Sequence, residues 1–146
     1  MSGVGVNIKF SGQLSEHLAR LAAEDGRGFE GARREVGDFL VGQIKDNLDH
    51  QLLADRSPMP PSAAAAARSG RTLIDNGHLS ESYVYQLTGD GLEVGSAKIY
   101  AAIHHFGGQT GRGHKTHIIP RPVMGIGDEE EREIGDILLD SIRRLA

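Results

Sequence analysis

The chain has no cysteine, which removes disulfides, thiolate nucleophiles and cysteine-ligated zinc together. It has no tryptophan, three tyrosines and four phenylalanines, so platforms on which single-stranded bases could stack lack their raw material. No stretch approaches the ~20 consecutive apolar residues of a membrane-spanning helix, and Met1-Ser2-Gly3-Val4-Gly5-Val6-Asn7 carries neither the basic patch nor the apolar run of a signal peptide. The expectation is a protein made and kept in the cytoplasm, with no membrane partner. Positive charge is in short supply as well. Sixteen Lys and Arg stand against twenty Asp and Glu, a formal net charge of −4, the wrong sign for an affinity built on neutralising phosphates. That balance disfavours a dedicated DNA-binding factor.

What is present fits a single domain spanning 1–146, since a chain of 146 residues buries roughly two-thirds of the surface its unfolded form exposes. Val4, Val6, Ile8 and Phe10 alternate with small or polar residues, the period of a strand with one buried face. Leu14, Leu18 and Leu21 then fall on one helical stripe, and a second stripe follows in Phe29, Ala32, Val36, Phe39/Leu40, Ile44 and Leu48. Arg33, Arg34, Glu35, Asp38, Lys45 and Asp46 are assigned to its wet face, with a bend expected at Gly26 to Gly28. Ser57-Pro58-Met59-Pro60-Pro61-Ser62 cannot continue a helix, so residues from about 55 to 72 are expected to form a surface connection, with at most a short helix at Ala63 to Ala67. Ser82 to Thr88 and Leu92 to Ser96 flank the tight turn Gly89-Asp90-Gly91, a hairpin signature. Ile99 to Phe106 suits a short helix or a strand. Residues 107–117, with four glycines and almost no apolar content, are expected to be a flexible loop. Asp128 with Glu131 three residues later suggests a capping box for a last helix, whose stripe is Ile134, Ile137, Leu138, Ile142 and Leu145. The class is α+β: a long N-terminal helix and a C-terminal helix on a small antiparallel or mixed sheet.

Chemistry-bearing constellations are sparse. His104, His105, His114 and His117 lie close in sequence, and imidazole is a common zinc ligand; they support the reading of a small metal-dependent hydrolase or nuclease. Against it, adjacent histidines on an extended strand point to opposite faces, and no carboxylate sits at a familiar ligand spacing. The glycines of 107–113 match neither the Walker pattern nor the dinucleotide fingerprint. No catalytic, cofactor-binding or metal-ligating residue is assigned.

One ordered succession departs from a generic α+β chain: Leu73-Ile74-Asp75-Asn76-Gly77-His78-Leu79-Ser80-Glu81-Ser82, then Val94-Gly95-Ser96, then Tyr100-Ala101-Ala102-Ile103-His104-His105-Phe106-Gly107-Gly108, then Ile119-Pro120-Arg121-Pro122-Val123-Met124-Gly125. It resembles the phage virion morphogenesis family of Mu-like phages, also described as tail completion proteins and related to the neck proteins of long-tailed phages. Asn76, His105 and Val123 depart from the residues usual there. The resemblance implies a non-enzymatic structural protein of the virion, in the neck or tail, and in the host cytoplasm during assembly. It further implies a hexameric ring of copies of itself at the head–tail junction, in contact with the tail tube and head-connector or neck proteins, with DNA passing without specific binding. A tail terminator capping the tube is the alternative within that family. Six domains of ~38 Å around a ring would enclose a hole wider than a ~20 Å duplex. On this reading Gly77 supplies a special backbone conformation, Leu79, Tyr100 and Ile103 are core, and His104, His105, Gly108, Arg112, His114, His117 and Arg121 lie at or near a subunit interface.

Overall fold

A computed structural model describes residues 4–9, 29–73, 78–89, 91–110 and 112–145. The expected stripe Leu14, Leu18 and Leu21, the bend at Gly26 to Gly28 and the role given to Gly77 lie outside the described residues. The elements are β1 (Val4–Lys9), α1 (Glu30–Asp49), α2 (Ala63–Ala67), α3 (His78–Glu81), β2 (Tyr83–Leu87), β3 (Gly91–Ser96), α4 (Ile99–Phe106), β4 (Gly108–Thr110), a 3-10 turn (Arg112–His114), β5 (Thr116–Ile118) and α5 (Asp128–Leu145). The class is α+β as expected, and the sheets are wholly antiparallel: β1-β3-β2, and a separate pair β4-β5.

The sheet register follows the alternation of its residues. Val6, Val94 and Tyr85 occupy one row, and Ile8, Leu92 and Leu87 the next. Tyr83 is buried while Val84 and Gln86 face outward, as period-2 geometry requires. Against the inner face lies α1, whose Val36, Leu40, Ile44 and Leu48 form the stripe that meets Leu92, Val94 and Tyr83. Gly37 lets the helix come close: a Cβ there would land on the ring of Tyr85. Burial of this kind contributes about 1.5–3 kcal/mol per large side chain, and it accounts for a helix with only a weak amphipathic signature and no side-chain N-cap.

α5 docks on α1, where Ile137, Leu138 and Ile142 pack on Phe29 and Ala32 and Ile134 reaches the central core. Its cap sits one residue earlier than the sequence suggests. The backbone N–H of Gly127 donates to Glu130 Oε2 at 3.1 Å, so Gly127 and Glu130 form the reciprocal side of the box instead of Asp128 and Glu131. Glu130 is 3% exposed and is the inner partner of Arg56, whose Nη2 donates to Glu130 Oε1 and whose Nη1 donates to Asn47 Oδ1, both at 2.6 Å. Asn47 in turn donates to the Val123 carbonyl at 3.0 Å.

Four further expectations are corrected. Arg33, assigned to the wet face of α1, is 9% exposed; its Nη1 donates to the carbonyls of Thr88 (2.6 Å) and Gly91 (3.0 Å) across the mouth of the β2–β3 hairpin. The 55–72 connection is only partly superficial. Met59, Ala65 and Thr72 are buried, and α2 forms because Ser62 accepts a bond from the Ala65 N–H at 3.1 Å. Residues 107–117 are not an unstructured loop: Gly108, Gln109 and Thr110 pair with Ile118, His117 and Thr116. Tyr100, expected in the core, is 40% exposed, while Ala101 beside it is fully buried.

Candidate assembly surface

The segment from α4 to β5 is rooted in the body and then leaves it. The Lys98 N–H donates to Ser96 Oγ at 3.1 Å, and Ser96 shares a 2.7 Å hydrogen bond with Ser82 Oγ. These bonds fix the start of α4 to the sheet end, and buried Ala101 seats the helix. At its other end the Gly107 N–H donates to the Ile103 carbonyl at 2.8 Å. Gly107 has φ 75° and ψ −179°, a region open only to glycine. An added Cβ would meet the Ile118 carbonyl oxygen and Pro120 Cδ, each at 2.8 Å. The chain therefore reverses at Gly107 into a two-stranded arm whose return strand passes tightly against the turn.

Arg121 closes the base of that arm. Its backbone N–H donates to the His104 carbonyl at 2.7 Å. Its guanidinium turns inward, Nε to the Pro60 carbonyl at 2.7 Å and Nη2 to the Pro61 carbonyl at 3.3 Å. The Pro-rich connection, which lacks amide donors of its own at three positions, is thereby held by a cation that satisfies its carbonyls. Between α2 and β5 lies an open groove of about 780 Å³, lined by Ala64, Arg68, Tyr100, His104, His117 and Arg121 among others, with no carboxylate in its walls among the described residues.

The histidines divide between environments. His104 lines the groove with His117, whereas His105 packs edge-on against Phe106 at 4.7 Å between ring centroids. Nδ1 of both His104 and His105 is buried with no hydrogen-bond partner. Burial holds both imidazoles below their ordinary range, and the nearby charge of Arg121 adds to the effect at His104. His117 is exposed, and the side chain of His114 lies outside the described residues. Among the described residues, no group of three or more His, Cys, Asp or Glu is placed to hold a metal ion. Arg112 and Lys115 are exposed near the arm's tip, and Gly108 begins β4 with φ 142°. Of the residues expected at an interface, the arm thus presents Arg112 and His117 outward, while Arg121 works inward.

Exposed apolar side chains mark the same region. Phe106 is 67% exposed and Ile119 40% exposed, at the two ends of the arm's root. The charge is also uneven in a way the net value hides. Between Glu93 and Asp128 there is no Asp or Glu, while four of the sixteen Lys and Arg fall there; the remainder of the chain holds twelve basic against twenty acidic residues, a formal −8. The Arg56–Asn47–Glu130 cluster is the polar centre that sequence reading missed. Glu130 lies 74 residues from Arg56 in sequence, and no spacing rule connects them.

No helix among the described residues is long and apolar enough to cross a membrane. The chain matches the model of the phage virion morphogenesis family over residues 11–143. It is also similar to the Mu-like prophage FluMu G protein 2 of Haemophilus influenzae, 35% identical over 78 residues, or 53% of this chain. The match spans about half the length of that curated relative, 56% of it. No solved structure matches. The family match runs over nearly the whole chain: the chain belongs to the phage virion morphogenesis family.

Proposed function

We propose that the protein is a tail completion or neck subunit that forms a ring at the head–tail junction, through which DNA passes without specific binding. The observation that carries this reading is the arm of residues 108–118. It is anchored by Gly107 and Arg121, exposes Arg112, Lys115 and His117, and makes its close contacts chiefly within itself. A domain that carries a paired, polar hairpin outside its core clusters has an element suited to a neighbouring subunit. A ring made from one repeated head-to-tail contact closes when its rotation closes. Its work is then shape and self-association, with the tail tube on one side and the head connector on the other.

Imaging the neck of purified virions at side-chain resolution tests the reading. Density for this fold in a symmetric ring between portal and tail tube is the expected result. Its presence only as the last layer of the tube would make it a terminator, and its absence from mature particles would overturn the structural reading in favour of an assembly factor.

A further inference from the structure

Ion pairing within the molecule sorts its surface charges into those already answered and those left over. On α1, Glu30 pairs with Arg34, Asp46 with His50, Asp49 with Arg71, and Glu35 with Arg144 of α5. Arg56 binds Glu130 and Glu129, and Arg143 binds Asp140. Arg33, Arg68 and Arg121 donate to backbone carbonyls. The cations that remain exposed with no partner among the described residues gather in the acid-free segment, at Lys98, Arg112 and Lys115; Lys45 lies on α1, and Arg132 stands among the acids of α5, where four carboxylates outnumber it. The anions that remain are densest on the first half of α5, at Asp128, Glu131, Glu133 and Asp136, all exposed, with Asp38 and Glu81 elsewhere. Each of the two surfaces also carries exposed apolar side chains: Phe106 and Ile119 at the root of the arm, Leu139 (49% exposed) on α5.

We propose that the arm of one copy, with Arg112 and Lys115 foremost, docks on the acidic outer face of α5 of the next copy, with Leu139 meeting the apolar root at Phe106 and Ile119. The occupant is a second copy of this chain because the two surfaces answer each other in sign and in apolar content. They are also distinct patches on one molecule, so the contact is head-to-tail and repeats instead of stopping at a pair. The inference rests on the ring reading above and supplies its contact.

The test uses the full chain, with its association followed by sedimentation velocity and native mass spectrometry at about 50 mM and about 500 mM salt, between which the reach of a charge falls from ~14 Å to ~4 Å. The wild type should assemble at low salt and weaken at high salt. R112E/K115E and E133K/D136K should each raise the dissociation constant about tenfold or more, since each replaces attraction with like-charge contact. The variant carrying all four substitutions should recover assembly to within about threefold of the wild type, a rescue that a merely damaged fold would not give. Assembly unaffected by either reversal would remove the arm–helix contact and leave the ring reading standing. A wild-type chain that stays monomeric at roughly 100 µM would overturn this contact as an affinity between copies, with the ring decided separately by the neck image. Loss of duplex-DNA retention in R112E/K115E with assembly unchanged would assign the arm to DNA and equally overturn the proposal.

Discussion

Arg33 carries a full charge at a position where helix periodicity asks only for something polar, and its value lies in geometry that periodicity cannot see. One guanidinium nitrogen bonds the carbonyls of Thr88 and Gly91 at the open end of a hairpin, more than fifty residues away in sequence. Arg33→Met keeps the aliphatic stem but strands those carbonyls, and should cost about 1–3 kcal/mol, seen as a lower denaturation midpoint with an unchanged slope. The sequence gives Val36, Leu40, Ile44 and Leu48 correctly because burying a stripe is a local property of spacing, whereas the partner of a buried charge is a property of the tertiary fold. The histidines illustrate the same limit with a pH consequence. His104 and His105 have folded-state values held below the ordinary 6.5 by burial, so below that pH the unfolded chain binds more protons than the folded one. Stability is then fully present above about 6.5 and is lost as pH falls toward the folded values. Thermal melts between pH 7.5 and 5 should show that decline, with a shallower one in His104→Gln; an equal slope in the variant would show that His104 is not a source of it.

At the scale of elements, the positions of β1, α1, the β2–β3 hairpin and α5 were legible in the sequence because each has its own periodicity or turn chemistry. The arm was not. Its strands are three residues each, too short to display alternation, and glycine-rich composition alone resembles a loop. What makes it a hairpin is the reversal at Gly107 and the clamp of Arg121 on Pro60 and Pro61. Gly107→Ala should therefore cost about 2–4 kcal/mol, combining a glycine-only backbone region with a Cβ driven into the Ile118 carbonyl and Pro120. Gly113 is the control. It also has positive φ, but an added Cβ would meet only the flexible Lys115 side chain, at 3.6 Å and beyond, so Gly113→Ala should cost about 1 kcal/mol, the price of the left-handed conformation alone. Hydrogen exchange across 108–118 reports on both. Equal losses in the two variants would show that close packing at the root does not hold the arm in place. Of the residues expected at an interface, Arg112 and His117 are exposed, while Arg121, whose contacts no spacing in the sequence announces, holds the arm from within.

For the molecule as a whole, a net charge of −4 is a poor description of the surface, because the acids and bases are segregated along the chain. If the exposed, unpartnered cations of the arm region are Lys98, Arg112 and Lys115, the free subunit can neutralise about three phosphates, so the logarithm of its affinity for duplex DNA should fall against the logarithm of salt with a slope near −2.7. With so few contacts and an otherwise acidic body, that affinity should be no tighter than roughly 0.1 mM at physiological salt. Fluorescence anisotropy with a labelled duplex measures both quantities. R112E/K115E should flatten the slope to about −0.9, the share of one remaining contact. Assembly should flatten it too, if α5 of the next copy covers the arm, leaving DNA to pass a lumen that does not grip it. A slope near −8 would instead require about nine phosphate contacts, three times the exposed, unpartnered cations found in the arm region, and would overturn the proposal that DNA passes without being held.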